Sequence, residues 1–321
     1  MKDPIKLNTV FMGTSHFAAS ILDGLIEKQY NIVAAYTSPD KKVGREQKLE
    51  KSAVKELAEK NKLTIMEPLR FDAEEIKHLQ SFDPDIIIVA DYGRILPKGV
   101  LEIPGFGAIN VHASLLPKFR GPSPVQNAIL EGETMTGVTI MIMNEGIDTG
   151  EILTQRNVPI DPEEKYPELL EKMAKEGTEL LLETLPLWVE REISARPQNE
   201  IEATQCQLIE RSDGHIIWTD SAKSIYNRFR AFYPWPGIFT YWENKGTNLR
   251  LKLLKISLPE GIPLASSEKR IGEIFEADGQ VAVQTGEGPL VIGEVQLEGK
   301  SKSSAADFKN GHPNFIGSFL K

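Results

Sequence analysis

Five short apolar runs dominate the first third of this chain: Thr9-Val10-Phe11-Met12, Asn31 to Tyr36, Leu63 to Met66, Asp85 to Ala90 and Gly107 to His112. Glycine or polar residues stop each run, and most of the gaps are long enough for a helix. After Gly13, Thr14 and Ser15 stand as N-cap candidates, and Phe17, Ile21, Leu22, Leu25 and Ile26 recur at helical spacing. Helical periodicity returns from Ser52 to Glu59. Strands joined through helices cannot close as hairpins, so they pair in parallel and are buried on both faces. Thr136 to Met143 reads as a further strand and Pro167 to Leu185 as a helix. The expectation is an α/β fold with a Rossmann-like, mostly parallel sheet.

The pattern breaks between Pro186 and Asp220, where Pro197 and the polar run Gln198-Asn199-Glu200 carry no clean period. A domain boundary is expected near residue 205, dividing the chain into 1–205 and 206–321; a length of 321 residues suits two domains. Ala222 to Phe229 looks helical and leads into the aromatic knot Phe232-Tyr233-Pro234-Trp235-Pro236. Packing is the favoured reading of those rings. Short apolar segments follow at 240–242, 249–256, 271–275, 281–284 and 290–295, the spacing of a small β-barrel.

Charge narrows the function classes. The net charge of −9 arises wholly in the first 200 residues, which hold 23 basic and 32 acidic groups; the remainder balances at 14 of each. Such a chain is a poor nonspecific nucleic-acid binder, although a local basic patch remains open to a polyanion. One such stretch, Lys41 to Lys48, is too polar for a core element. The single cysteine, Cys206, permits no intrachain disulfide, and the five histidines show no ligand spacing, so no metal is expected. Met1 to Thr9 has no apolar core behind basic residues, and no apolar run approaches a membrane span. A cytoplasmic, monomeric protein with no membrane association is expected.

The chemistry-bearing residues cluster after the strands. Asn110 and His112 lie two apart on one strand, so both project from the same face near its carboxyl end, where open α/β sheets bind ligands. An amide supplies a neutral donor and an imidazole can move a proton; a hydrogen-bonded structural histidine is the competing reading. The next residues, Ser114-Leu115-Leu116-Pro117 and then Lys118-Phe119-Arg120-Gly121-Pro122, form a proline- and glycine-fixed loop suited to a flat ring system. Asp148 sits between glycines in Asn144 to Gly150, either as an Asx-turn residue or as a reactive carboxylate. A third polar loop runs from Asp91 to Pro97. Three loops following three strands of one parallel sheet are expected to meet over one crevice. Gly13-Thr14-Ser15 lacks both phosphate-binding fingerprints and reads as a tight turn. Cys206 lies outside these motifs and receives no role.

The strings Ile109 to Pro117 (INVHASLLP) and Gly137 to Gly150 (GVTIMIMNEGIDTG) together resemble the folate-dependent formyltransferase family. The resemblance runs from about Val10 to near the end of the chain and implies several things. Asn110, His112 and Asp148 would be catalytic. The formyl donor would be 10-formyltetrahydrofolate, held by Tyr92, Gly93, Arg94, Ile95 and Leu96 on the pterin side and by Ser114, Leu115, Leu116 and Pro117. The basic stretch would be a tRNA-binding insertion using Lys41, Lys42, Arg45 and Lys48, with initiator methionyl-tRNA as the acceptor. Arg230 to Pro236 (RAFYPWP) resembles a signature of the family's second domain, a barrel of the oligonucleotide-binding (OB) type that supports tRNA. Departures are visible too: Asp91 stands where the family commonly has a small residue, and Lys51-Ser52-Ala53-Val54-Lys55 replaces the usual P-S-P-V-K. A relative acting on a nucleotide-linked amino sugar would share the three catalytic residues without needing the basic insertion. A noncatalytic binding module would not need all three.

Overall fold

In the computed structural model, which describes residues 3–43, 48–259 and 269–321, the chain divides into two compact units. The first comprises Met1–Val125, Thr134–Ile160 and Glu168–Leu208; the second comprises Gln126–Glu133, Asp161–Pro167 and Ile209–Lys321. Arg45, assigned above to tRNA binding, lies outside the described residues.

In chain order the leading elements are β1 (Thr9–Gly13), α1 (His16–Glu27), β2 (Ile32–Tyr36), β3 (Lys41–Val43), β4 (Lys48–Glu50), α2 (Ala53–Lys60), β5 (Ile65–Met66), α3 (Ala73–Ser81), β6 (Ile86–Ala90), α4 (Lys98–Leu101) and β7 (Ala108–His112). Then come α5 (Pro124–Leu130), β8 (Met135–Ile142), β9 (Ile152–Pro159) and α6 (Tyr166–Val189). The sheet order is β5-β2-β1-β6-β7-β8-β9. Its first five strands are parallel, and β8 and β9 are antiparallel to their neighbours. Ser15 caps α1 through its hydroxyl, which accepts from the Ala18 N–H. Gly13 is confirmed as a packing turn, because a Cβ there would lie 2.6 Å from that of Ala18 and 2.8 Å from the Ala90 carbonyl oxygen.

Alternate residues of the parallel strands feed opposite layers. Val10, Met12, Ala34, Tyr36, Ile87, Val89 and Ala108 pack with Leu79 of α3 and Val100 of α4. On the other face α6 comes so close that a Cβ on Gly177 would lie 3.1 Å from Val111 and 3.4 Å from Val138. The sequence reading named no strand at residues 152–159. That strand is a sheet edge, so it needs only a partial apolar side, and Gln155-Arg156-Asn157 masks its alternation.

The second unit contains α7 (Ala222–Ala231), β10 (Ile238–Asn244), β11 (Thr247–Ser257), β12 (Ile274–Ala277), β13 (Gln280–Gln284), β14 (Pro289–Leu297), β15 (Lys302–Ser304) and α8 (Ala305–Gly311). The strands form an antiparallel sheet of order β10-β11-β14-β13-β12, with β15 also on β14. Residues 318–321 join its two edges. Lys321 exchanges both backbone hydrogen bonds with Tyr241 on β10, while Ile274 and Leu320 donate to Ser318 and Gly272 on the β12 side. A sheet whose edges are bridged in this way is a barrel, as expected. Packing accounts for Phe232, which is 2% exposed, but not for Tyr233 and Trp235, which are 42% and 50% exposed. Among the described residues no helix is long and apolar enough to cross a membrane, and no group of three or more His, Cys, Asp or Glu is placed to hold a metal ion.

Candidate active site

Asn110 and His112 lie side by side on β7, 8% and 6% exposed. Parallel pairing sets Val89 opposite Asn110 and Gly13 opposite Ala90, so the ends of β1, β6 and β7 open toward one region. The Asp91–Pro97 loop leaves β6 there. Its start is tied to β1, since Thr14 N–H donates to the Asp91 carbonyl at 3.1 Å and the Thr14 hydroxyl to that of Tyr92 at 3.3 Å. Asp91 itself is exposed with φ +40°, a conformation that aspartate tolerates better than most residues.

The third loop does not arrive as expected. Because β8 runs antiparallel to β7, Ile142 sits opposite Ile109 and the following loop departs at the wrong end of β7. Residues 143–151 instead turn back. Asn144 closes the turn by accepting from the Gly146 N–H (3.0 Å) and the Thr149 hydroxyl (2.8 Å). At Gly150 a Cβ would fall 1.7 Å from the Ile142 carbonyl oxygen, so only glycine lets the loop lie this close to β8. The result brings Asp148 Oδ1 to 3.7 Å from His112 Nδ1. The other carboxylate oxygen accepts from the Gly121 N–H at 2.8 Å.

His112 is therefore flanked by acceptors on both sides, since Nε2 lies 3.1 Å from the Phe119 carbonyl oxygen. A carbonyl only accepts, so that contact puts a proton on Nε2, while Nδ1 faces the carboxylate. The 3.7 Å separation is an electrostatic contact rather than a hydrogen bond. Among the described residues no side chain or backbone group hydrogen-bonds the Asn110 carboxamide.

The Ser114–Pro117 loop is held from inside. Thr139 Oγ1 donates to the Ser114 carbonyl at 2.7 Å and accepts from the Leu116 N–H at 3.0 Å, and Gln155 Nε2 donates to the Leu116 carbonyl at 2.8 Å. The Ser114 hydroxyl donates to the Lys118 carbonyl, and Leu116 packs against Met141 and Ile152. Those two side chains fix the loop, while Leu115 and Pro117 remain half-buried. On the other loop Tyr92 and Leu96 are buried in the core, Gly93 has φ +69°, Arg94 donates to the Leu69 carbonyl, and Ile95 is 78% exposed. Burial lifts the Tyr92 phenol to about 12, and its hydroxyl has no hydrogen-bond partner among the described residues. These loops thus offer apolar faces at Ile95 and Leu115 with polar backbone beside them, a combination that suits a flat heteroaromatic ring.

Lys41, Lys42 and Lys48 are brought together on a small antiparallel hairpin, β3–β4, with all three exposed. Its stem is fixed by Lys55, which reaches Asp40 at 2.6 Å and Glu67 at 3.0 Å, and by the Thr37–Ser52 hydroxyl pair at 2.6 Å. The two carboxylates raise the Lys55 pKa.

The sequence reading missed the segment 196–206 altogether. Thr204 accepts from the Arg120 N–H through its carbonyl (2.9 Å) and from the Phe119 N–H through its hydroxyl (2.8 Å). Cys206, far from the motifs in sequence, is buried against them: its thiol lies 3.2 Å from the Arg120 carbonyl and 3.4 Å from the Ser123 N–H. Arg120, only 5% exposed, reaches Glu200 and Gln198. The one local signal was Arg120 itself, a second charge two residues after Lys118 in a proline- and glycine-fixed loop.

A mostly parallel sheet with an amide, an imidazole and a carboxylate beside it offers the groups that acyl transfer uses, and comparison with known proteins identifies the class. The sequence pattern of the formyl transferase family covers residues 6–185 and that of the formyl transferase C-terminal domain covers 208–313. The chain belongs to the formyl transferase family. It is 42% identical to the methionyl-tRNA formyltransferase of Caldicellulosiruptor saccharolyticus, over 95% of this chain and 97% of that one. Identity to the methionyl-tRNA formyltransferase of Caldanaerobacter subterraneus subsp. tengcongensis is 38%, over 98% and 100%. Two solved structures share the fold. One is the N-formyltransferase of Helicobacter canadensis in complex with folinic acid and dTDP-3-aminofucose (TM-score 0.63, 20% identity, 89% of this chain and 98% of that one). The other is HypX of Aquifex aeolicus with tetrahydrofolic acid (TM-score 0.60, 17% identity, 97% and 48%).

Proposed function

We propose that this chain transfers the formyl group of 10-formyltetrahydrofolate to the free α-amine of initiator methionyl-tRNA, as a cytoplasmic monomer. Residues 1–205 carry the chemistry and the OB-like domain, 206–321, supports the tRNA. The observation that carries the reading is the convergence of Asp148, at 3.7 Å, on His112 of the strand that also carries Asn110. Near-full-length similarity to methionyl-tRNA formyltransferases supports the choice of acceptor over an amino sugar.

In this reading the amine attacks the formyl carbon and a tetrahedral oxyanion forms. Asn110 donates to that oxygen and protonated His112 adds positive charge, a contribution of about 3–4 kcal/mol per well-aimed donor. Asp148 holds the imidazolium in place and assists loss of the amine proton through water. The bond from the formyl carbon to the folate nitrogen then breaks, and that nitrogen takes up a proton, leaving tetrahydrofolate. No covalent enzyme intermediate is required. Tyr92 to Leu96 and Ser114 to Pro117 hold the folate, chiefly through backbone groups and the faces of Ile95 and Leu115. Lys41, Lys42, Arg45 and Lys48 meet the tRNA backbone.

The test offers charged initiator tRNA and a nucleotide-linked amino sugar side by side with 10-formyltetrahydrofolate. Formylated methionyl-tRNA is the expected product. Formylation of the sugar alone overturns the acceptor assignment, and no transfer to either overturns the activity.

A further inference from the structure

We propose that Gln198 is a positioning residue for the formyl transfer, holding the peptide units at Asp148 and Gly150 so that the carboxylate stays beside His112. The inference rests on the catalytic reading above. Its starting point is a saturated amide. Gln198 Nε2 donates to the Asp148 carbonyl at 2.8 Å and to the Gly150 carbonyl at 2.7 Å, while Oε1 accepts from Arg120 Nε at 3.0 Å and Nη2 at 2.8 Å. All four hydrogen-bonding positions of the side chain are used. The orientation of the amide is unambiguous, because a guanidinium only donates and a carbonyl only accepts.

The loop needs such a hold. Asp148 sits at φ +52°, in the left-handed region that a non-glycine residue occupies at a cost. Its loop also arrives from the far end of β7 rather than directly off a strand end, so pairing within the sheet does not set its position. Two anchors fix the aspartate: the Gly121 N–H takes the carboxylate and Gln198 takes the carbonyl. Both trace back to one short stretch. Phe119 supplies the carbonyl at His112 Nε2, Gly121 supplies the N–H at Asp148, and Arg120 between them grips Gln198. Gly121 itself has φ +114° and lies so close to the 196–206 segment that a Cβ would meet the Cys206 carbonyl oxygen at 2.5 Å. Glu200 neutralises the buried guanidinium at 2.7 Å from an exposed position, so the charge balance of Arg120 rests on Glu200 and not on Gln198.

That separation supplies the experiment. Gln198→Glu keeps the size of the side chain and an acceptor for Arg120, but places a carboxylate oxygen where two carbonyls need a donor. Glu200→Gln weakens the ion pair and leaves both donors of Gln198 in place. For Gln198→Glu the expected result is a fall in kcat of roughly tenfold to a hundredfold, the scale of a small misplacement, with KM for both substrates nearly unchanged and with faster amide exchange over residues 146–151. Glu200→Gln is expected to keep kcat close to that of the wild type. A Gln198→Glu enzyme with unchanged kcat, or with unchanged exchange in that loop, overturns the proposal. So does a Glu200→Gln enzyme that loses as much kcat, which would assign the effect to the ion pair. A wild-type chain with no turnover would instead overturn the catalytic reading, and the exchange measurement would still decide whether Gln198 holds the loop.

Discussion

The site around His112 and the β3–β4 hairpin lie in the same unit and are built on opposite plans. At the site nearly every polar group has a partner: Thr139 and Gln155 hold one loop, Gln198 and Gly121 another, and segment 196–206 backs both. On the hairpin, Lys41, Lys42 and Lys48 are exposed, and Lys55 with Asp40 and Glu67 orders the stem. In the function proposed here, the contrast follows from what each recognises. A transition state is stabilised by groups fixed before it forms, whereas a polyanion is attracted by charge whose position matters much less.

The comparison breaks most sharply at the oxyanion. Asn110→Ala and His112→Ala are each expected to lower kcat by about 10²–10³-fold while the chain stays folded, since removing one group that stabilises an oxyanion costs about that much. A steady-state assay with a melting curve on each variant checks this; losses below tenfold would remove these residues from the chemistry. Asp148→Asn should come next, at roughly 10²-fold. It keeps an acceptor for the Gly121 N–H but gives up the charge facing His112.

In the basic stretch 41–48 the effect should fall on KM. Arg45→Ala is expected to weaken use of charged tRNA several-fold, to reduce the slope of log affinity against log salt by about 1, and to leave folate KM alone. Lys55→Ala touches no ligand in this reading, yet it leaves Asp40 and Glu67 facing each other at the stem. The expected outcome is a stability loss of up to about 1 kcal/mol and a tRNA KM raised by less than in Arg45→Ala. Equal kcat losses in both regions would erase the distinction.

What the sequence disclosed follows the same division between local and long-range causes. The period-2 relation of Asn110 and His112, the Ser15 cap and the buried runs of β1, β2, β6 and β7 are properties of neighbouring residues, and each can be read along the chain. The reversal of β8 is not local. Nothing in Thr136 to Met143 says whether the strand pairs parallel or antiparallel, so Asp148 was expected at the correct histidine by an incorrect route. Gln198 and Glu200 lie in a stretch with no period, and their partner Arg120 is nearly 80 residues away. A polar break between elements looks the same whether it is a linker or a strap packed against a catalytic loop.

Cys206 offers the finest probe of that strap. Burial pushes its thiol above the ordinary value of 9.0, and the nearby Asp148 charge pushes in the same direction. The unfolded chain therefore sheds this proton at lower pH than the folded one. Between the two pKa values the folded state binds more protons, so this group's contribution to stability declines as pH rises through about 9 and is flat below that. Replacing the thiol removes the decline: Cys206→Ala should lose little stability at pH 7 and gain relative to wild type as pH increases. Alkylation by iodoacetamide gives a direct readout, expected to be slow in the native chain near pH 8 and fast in denaturant, because the thiolate is the reactive form. Rapid native alkylation at that pH would mean that segment 196–206 lifts away from Phe119 to Gly121 in solution. The close packing that separates the site from the hairpin would then be lost as well.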